Sequence, residues 1–144
     1  MKPVVITADS TCDLSPELTE RFNIKLIPLT IIQGDSSFLD GEGFSPRDMY
    51  ERYRRDGLLP KTSAVGLQEF LDFFSKYLRE GYEIVHLDIS SELSGTYNNA
   101  RLAAAELEGV YTVDSRMLST GVGLVAIEGA ECRDQRGKRR RGQP

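Results

Sequence analysis

Residues 82–105 read YEIVHLDISSELSGTYNNARLAAA, and this stretch decides the fold class. It opens with an apolar strand pattern over 82–89, continues through a hydroxyl-rich connection, and enters an alanine-rich helical pattern near Gly95. The rest of the chain repeats this order of strand, polar connection and helix. Such alternation predicts right-handed βαβ crossovers, and therefore an α/β fold with a mostly parallel sheet flanked by helices.

The same patterns place the other strands and helices. Continuous apolar residues at 24–32 predict a strand covered on both faces, and Pro28 assigns that strand to an edge or a bulge. The periodic apolar face of 67–80 predicts an amphipathic helix closed by Gly81. The remaining predictions are strands at 3–8 and 110–113, a turn–strand–turn at 34–43, a loop at 60–64, and helices at 15–22, 45–57, 95–107 and 119–131.

Hydroxyl side chains gather where the strands of this sheet end. Ligands of parallel sheets bind beyond the carboxyl ends of the strands, so these hydroxyls are candidates for a binding site. They are Ser10 and Thr11 after the first strand, Ser90, Ser91, Ser94 and Thr96 after the 82–89 strand, and Ser115 after the 110–113 strand.

Two hydroxyl segments, Ser94-Gly95-Thr96 and Thr62-Ser63, precede helices, where backbone N–H groups are unpaired and the helix dipole is positive. Hydroxyl donors beside a glycine that leaves the approach open are suited to an anion. Because Lys61 is the one cation in these segments, the expected anion is a single carboxylate rather than a polyphosphate. The alternative is that Ser94 is only an N-cap, which is the commonest use of serine at such a place.

Nucleophilic and phosphate-loop chemistry find little support in the sequence. Neither GxxxxGK[ST] nor GxGxxG follows a strand, and GxSxG is absent. The single histidine, His86, stands in mid-strand, where a packed ring is expected rather than a catalytic base. Cys12 has no evident partner base. These patterns favour binding over nucleophilic catalysis.

An acidic cluster at the strand ends provides the alternative, a metal-dependent enzyme. Asp9, Asp88 and Asp114 each lie at or near the end of a strand, and carboxylates can hold Mg²⁺ for a reaction on a phosphorylated small molecule. The competing interpretation is that Asp9 caps the helix that begins at residue 15.

The composition is that of a globular protein. The 144 residues are 40% hydrophobic and 28% charged, and they suffice for one domain with a core. No apolar run approaches the length of a membrane span, and the N-terminus MKPVVITADS lacks the features of a signal peptide. Cys12 and Cys132 match no metal spacing, so no metal or other cofactor is expected, and the expected location is a reducing cytoplasm.

The charge is divided unevenly along the chain. Residues 133–144 carry a net charge of +5, so residues 1–132 carry −9 within a total of −4. An acidic body argues against a nucleic-acid partner. The division predicts a domain over 1–132 and a basic, solvated and disordered tail over 133–144. The alternative for the tail is a patch that binds phosphate groups or serves in targeting.

Together the motifs resemble the DegV family. The resemblance covers residues 3 to about 132, and the pairing of a TS loop with SSxLSGTY is close to diagnostic. It implies the α/β N-terminal domain of a two-domain bacterial fatty-acid-binding protein. The motifs, in the order and at the spacing of that family, are VVITADSTCDLSPEL at 4–18, IKLIPLTI at 24–31, KTS at 61–63, DISSELSGTYNNAR at 88–101 and VDSRMLSTG at 113–121.

The resemblance also implies a ligand and the residues that hold it. The family's TS threonine falls on Thr62 and its SGT serine on Ser94, whose hydroxyls would hydrogen-bond the carboxylate of a long-chain fatty acid such as palmitate. Ser63, Gly95 and Thr96 complete the two loops. Family members present their fatty acid to a fatty-acid kinase and carry out no known chemistry, so this protein is expected not to be an enzyme.

The sequence departs from the family in two respects. After the TS pair it continues Ala64-Val65-Gly66, where family members usually have Gln-Pro or a similar pair. The family's second domain is also expected to be missing, because beyond Arg133 the sequence becomes a run of Gly, Arg, Lys, Gln and Pro. We therefore expect a truncated or frame-shifted gene product that keeps the carboxylate clamp and binds fatty acids weakly.

Overall fold

The structure, a computed structural model, describes residues 2–140. Strands and helices alternate along most of this range, as the βαβ pattern predicts. In chain order the strands and helices are β1 Val4–Asp9, a 3-10 helix Ser10–Cys12, α1 Pro16–Arg21, β2 Ile24–Ile27, β3 Thr30–Gln33, β4 Ser36–Leu39, α2 Pro46–Asp56, β5 Lys61–Ser63, α3 Leu67–Arg79, β6 Glu83–Asp88, α4 Thr96–Ala105, β7 Val110–Asp114 and α5 Thr120–Arg140.

The core is a parallel four-stranded sheet in the order β2-β1-β6-β7, flanked by helices on both faces. On one face α3 and α4 bury their apolar side chains against the sheet, with Phe70 and Phe74 fully buried. On the other face α5 contributes Val122, Ala126 and Ala130 to a second buried cluster. The predicted α/β class and the mostly parallel sheet are therefore confirmed.

The face of this sheet that meets α3 and α4 changes from apolar to acidic along the strands. Alternate residues of a strand point to the same face, so β1, β6 and β7 each present an apolar residue, then a Thr or His, then an Asp. The pairing register places these residues side by side as three rows across the sheet. The rows are Val5, Ile84 and Val110, then Thr7, His86 and Thr112, and at the carboxyl edge Asp9, Asp88 and Asp114.

The predicted single strand over 24–32 is wrong, because the chain leaves one sheet and enters another at Pro28 and Leu29. β2 is an edge of the parallel sheet, whereas β3 is the centre of a separate antiparallel sheet. Proline has no N–H to donate to a ladder, so the strand stops there. The Leu29 N–H donates instead to Ser10 Oγ, at 3.0 Å.

The second sheet has three antiparallel strands in the order β4-β3-β5. The predicted loop at 60–64 is wrong in part, because residues 61–63 form β5 and pair with β3. α2 packs on this sheet without burying any of its residues fully. Gln33 ties the two together, since its Nε2 donates to the Leu58 carbonyl at 2.9 Å and to the Met49 carbonyl at 3.4 Å.

The last helix, α5, runs to Arg140, past the predicted end at residue 131. Arg133 holds it against the end of α1, since Arg133 Nη2 donates to the Phe22 carbonyl at 2.9 Å. Residues 133–140 of the predicted tail are therefore helical, while 141–144 lie outside the described residues. The division into a domain over 1–132 and a tail over 133–144 stays a prediction. None of the helices within residues 2–140 combines the length and the apolarity that crossing a bilayer requires.

Candidate anion-binding site

Ser94 lies one residue before the N-cap of α4, which is Gly95. Its side chain is partly buried. Ser94 Oγ accepts a hydrogen bond from the Thr96 N–H at 3.2 Å and shares a second with Thr96 Oγ1 at 2.9 Å. Because Thr96 is fully buried, this pair of bonds holds the Ser94 hydroxyl at the start of the helix. Ser94 Oγ thus caps the start of α4, as the N-cap alternative predicts, and its role toward a ligand stays a prediction.

The N-terminus of α4 keeps open donors although Ser94 Oγ takes the Thr96 N–H, because its N-cap residue Gly95 has no side chain to cap the others. Within residues 2–140, no group accepts a hydrogen bond from the N–H of Tyr97 or Asn98, in the first turn. Nothing lies within 4 Å of the position that a side chain on Gly95 would occupy, so the approach to these donors is open. A helix N-terminus with open N–H donors beside a hydroxyl is equipped to bind an anion.

The connection that carries Ser94 is bonded firmly to the edge of the parallel sheet. The Ser90 N–H donates to the Met117 carbonyl at 2.9 Å, and the Ser94 N–H donates to the Ser90 carbonyl at 3.2 Å. The Ser91 hydroxyl donates to Asp114 Oδ2 at 2.6 Å, and this bond is the main cause that lowers the pKa of the Asp114 carboxyl. The hydroxyls at 90 and 91 thus support the loop rather than face a ligand.

Thr62 occupies the middle of β5 and pairs with Ile31 of β3. Its side chain is exposed, and its hydroxyl makes no hydrogen bond within residues 2–140. Ser63 bonds only to the neighbouring Ala64 carbonyl, at 3.4 Å. The pair precedes the helix that begins at Leu67, as predicted, but residues 64–66 separate it from the first turn of α3. Thr62 therefore offers a free hydroxyl from an edge strand.

One side-chain hydrogen bond joins the Thr62 segment to the helix that follows Ser94. Asn99 Nδ2 donates to the Val65 carbonyl at 2.8 Å. Asn99 lies outside the hydroxyl segments that the sequence predicts as the site. A signal was present, because Asn99 lies three residues after the buried Thr96 and four before the buried Ala103, and so belongs to the buried face of α4.

Asp9, the first of the three strand-end acids, is fully occupied by donors of the chain. Its carboxylate accepts hydrogen bonds from the Ile89 N–H at 2.7 Å, from the Thr11 N–H at 2.9 Å and from the Thr11 hydroxyl. Asp9 caps the 3-10 helix over Ser10–Cys12, while Ser15 caps the helix that the sequence had assigned to Asp9. Its role is structural.

His86 is a packed ring, as its place in mid-strand predicts. It is fully buried and makes edge-on contacts with the rings of Phe70 and Phe74. His86 Nδ1 shares a hydrogen bond with Thr7 Oγ1 at 2.7 Å. Its other nitrogen, Nε2, lies 3.2 Å from Asp88 Oδ1, but the alignment is not that of a hydrogen bond.

Asp88 is fully buried, and neither of its carboxylate oxygens has a hydrogen-bond partner within residues 2–140. Burial raises the pKa of the Asp88 carboxyl, and the nearby His86 opposes that shift only in part. The neighbouring acids Asp9 and Asp114 raise it further. This carboxyl is thus the unsatisfied member of the acidic edge.

The acidic edge does not have the geometry of a metal centre. Among residues 2–140, no group of three or more His, Cys, Asp or Glu side chains is placed to hold a metal ion. A surface groove of about 540 Å³ is lined by residues at the N-terminus of α2 and in the turn before it, and it includes neither Thr62 nor Ser94. Within residues 2–140, the arrangement best suited to an anion is the set of open donors at the α4 N-terminus beside Ser94, while the contribution of Thr62 to it stays a prediction.

Comparison with known proteins confirms the family resemblance. Residues 3–139 match the family described as "Uncharacterised protein, DegV family". A DegV domain-containing protein of Clostridium perfringens is 39% identical over 132 residues, which cover 90% of this chain and 47% of that protein. A protein of Thermotoga maritima named as a fatty acid-binding protein is 38% identical over 127 residues, 85% of this chain and 44% of the relative.

A solved structure shows the same fold. The structure of a DegV family protein from Thermus thermophilus, described as showing fatty acid binding, matches with a TM-score of 0.85 at 31% identity. The match covers 94% of this chain and 48% of that one. The chain therefore spans about half the length of the relatives that it matches.

Proposed function

The chain belongs to the DegV family, and from this membership and the geometry at α4 we propose that it binds a long-chain fatty acid, such as palmitate, by its carboxylate. Thr62 and Ser94 donate the hydroxyl hydrogen bonds, and Ser63, Gly95 and Thr96 support the two segments. The Thermotoga maritima and Thermus thermophilus relatives, both named for fatty acid binding, support the choice of ligand.

The observation that carries this proposal is the pair of open N–H donors in the first turn of α4, at Tyr97 and Asn98, beside the Ser94 hydroxyl. A carboxylate seated there accepts from the backbone N–H groups of the first turn and is favoured by the positive end of the helix dipole. A second hydroxyl from Thr62 gives the other carboxylate oxygen a donor. No cation is required, because hydroxyl and backbone donors suffice for a single negative charge.

The acyl chain supplies most of the affinity. Each buried methylene contributes about 0.8 kcal/mol, so a sixteen-carbon chain supplies on the order of 10 kcal/mol when it is covered. Each hydrogen bond to the carboxylate adds about 1.5–3 kcal/mol. The hydrogen bonds to the carboxylate therefore select the acid and fix its orientation, while the apolar groups around the acyl chain set the affinity.

We further propose that the protein presents the bound carboxylate to a fatty-acid kinase in the cytoplasm and performs no chemistry itself. Support comes from the exposure of Thr62, since a headgroup held at an exposed edge strand stays accessible to a partner. The alternative of a metal-dependent enzyme is not favoured, because Asp9 is already satisfied by donors of the chain.

The test is a titration of palmitate into the purified chain by calorimetry. Thr62→Val and Ser94→Ala each remove one hydroxyl, and each is expected to weaken binding about tenfold, since one bond to a carboxylate is worth about 1.5 kcal/mol or more. Ser37→Ala, in an exposed position of β4, is the matched control and is expected to leave binding unchanged.

Two outcomes would overturn the proposal. One is an unmodified chain that binds no palmitate; the other is a pair of hydroxyl variants that bind as tightly as the unmodified chain. A rise in melting temperature with Mg²⁺ but not with palmitate would instead support the enzyme.

A further inference from the structure

The bond from Asn99 Nδ2 to the Val65 carbonyl is the direct polar link between the two hydroxyl segments. Among residues 2–140, it is the one side-chain hydrogen bond that joins residues 61–66 to residues 94–99. It is 2.8 Å long, partly buried and spans 34 residues of sequence. Bonds of this kind constrain two segments that are not neighbours along the chain.

Each end of this bond is connected to one of the proposed ligand donors through a few residues of ordered backbone. Val65 follows Thr62 by three residues, and its side chain is 2% exposed in the core between α3 and α4. The Asn99 N–H donates to the Gly95 carbonyl at 3.1 Å, so Asn99 lies one helical turn from the open N-terminus of α4. A turn rises only about 5.4 Å, which leaves little slack between this bond and Ser94.

Other contacts of the Val65 segment do not fix it relative to α4 by hydrogen bonding. The Gly66 N–H donates to Glu69 Oε2 at 2.6 Å, which ties the segment to the first turn of α3. The Val65 side chain packs among apolar groups, and such packing is not directional. The Asn99 bond is therefore the directional constraint between β5 and the α4 N-terminus.

From this geometry we infer that Asn99 is a positioning residue, which sets the separation of the Thr62 and Ser94 hydroxyls so that both reach one carboxylate. The inference rests on the proposed fatty-acid site. Two donors share a small anion only when their relative placement is held to about 0.5 Å. Thr62, on an exposed edge strand with a free hydroxyl, needs this constraint more than Ser94, whose hydroxyl is held by Thr96.

The test is a double-mutant cycle on palmitate affinity with Asn99→Ala, Thr62→Val and both together. Asn99→Ala is expected to weaken binding about tenfold in the unmodified chain, the effect of losing one carboxylate bond, and less than about twofold when Thr62 is already valine. A purely structural role predicts the same loss in both backgrounds, because a general loosening of the fold does not depend on the Thr62 hydroxyl.

Gln68→Ala is the matched control. The Gln68 amide is exposed on α3 and its Nε2 donates only to Asp72 Oδ1, at 3.0 Å, so binding is expected to be unchanged. Asn99→Leu, which removes the donor but keeps the volume, replaces the alanine variant if that variant fails to fold. Asn99→Gln, which keeps the amide, is expected to recover part of the affinity.

The outcomes separate this inference from the proposed function. If the unmodified chain binds palmitate and Asn99→Ala binds equally well, or weakens binding equally in both backgrounds, the positioning role is overturned and the fatty-acid site stands. If the unmodified chain binds no palmitate, the fatty-acid site falls, and the role assigned to Asn99 falls with it.

Discussion

The two segments that carry the proposed ligand donors rest on supports of different kinds. Ser94 follows β6, an internal strand of the parallel sheet with buried helices on both faces. Thr62 lies on β5, a three-residue edge strand whose residues are all exposed, in a sheet covered by a helix with no fully buried residue. Ser94 is therefore supported by the core of the protein, here called the core side, and Thr62 by an exposed edge strand, here called the surface side.

This difference indicates that the two proposed donors behave differently when a ligand binds. A donor that is fixed by the core has the same position before and after the ligand binds, so no conformational entropy is lost by ordering it on binding. A donor on an exposed edge strand can adjust to the ligand, but its freedom must be limited by ties to the core. The Asn99 bond and the buried Val65 side chain provide these ties.

The largest expected effect is the difference in amide hydrogen exchange between β6 and β5. The buried central strand is expected to exchange only on global unfolding, whereas the short edge strand opens locally, so their opening free energies are expected to differ by several kcal/mol. Exchange followed by NMR at constant pH measures both. Equal protection of β5 and β6 against hydrogen exchange would contradict the conclusion that Ser94 has a rigid support and Thr62 an adaptable one.

The next effect tests how tightly the core side is packed. A methyl group on Gly123 of α5 would lie 2.7 Å from the Cys12 carbonyl oxygen, so backbone must move. Gly123→Ala is therefore expected to lower the free energy of unfolding by about 1–3 kcal/mol, as overpacking does. Urea denaturation measures the change.

Gly129, six residues further along α5, is the matched control for this substitution. A methyl group there meets only Ile6, at 3.8 Å and beyond, which is ordinary contact. Gly129→Ala is expected to stabilise the protein by about 0.5–1 kcal/mol, the usual gain in helix propensity. If Gly123→Ala leaves the free energy of unfolding unchanged, the packing between α5 and the Cys12 segment adjusts more easily than these contacts indicate.

Much of the core side could be predicted from the sequence, because its signals are local. The apolar run before Asp88 and the alanine-rich stretch after Gly95 predict β6 and α4 within a few residues of their observed bounds. The hydroxyls between them mark the strand end from which Ser94 projects. In this part of the chain, pattern and structure coincide because each element is long enough to show its own period.

The surface side could not be predicted in the same way. A continuous apolar run over 24–32 has no period that reveals two sheets, and only Pro28 hints at the break. β5 is three polar residues that become a strand by pairing with β3, a non-local contact without a local signal. For the same reason the bond from Asn99 to Val65 is visible only once the fold is known.

The third expected effect concerns the buried Asp88 on the core side and depends on pH. Because burial raises the pKa of this carboxyl, the unfolded chain ionises first as pH rises, and the folded state then binds more protons than the unfolded state. Stability contributed by this group therefore falls as pH rises above the unfolded value near 4. Asp88→Asn removes that loss, so the gain in unfolding free energy over the unmodified protein is expected to be larger at pH 7.5 than at pH 4.5.

The groups facing Asp88 are His86, Asp9 and Asp114, and all three stay in place in this variant. Asp35→Asn, an exposed turn residue, is the control and is expected to change stability equally at both pH values. A gain for Asp88→Asn that is the same at pH 4.5 and pH 7.5 would show that the carboxyl does not carry the penalty that its burial implies.

The smallest effects are the most direct test of the comparison, because they apply the same substitution to both segments. Thr96→Val deletes a fully buried hydroxyl bonded to Ser94 Oγ and is expected to lower the free energy of unfolding by about 1 kcal/mol. Thr62→Val keeps the β-branched shape of an exposed strand residue whose hydroxyl has no partner within residues 2–140, so its stability is expected to stay within about 0.5 kcal/mol. Urea denaturation of the two variants side by side measures both changes. If Thr62→Val lowers the free energy of unfolding as much as Thr96→Val does, the Thr62 hydroxyl stabilises the fold and is not free for a ligand. The two segments would then be equally integrated into the fold.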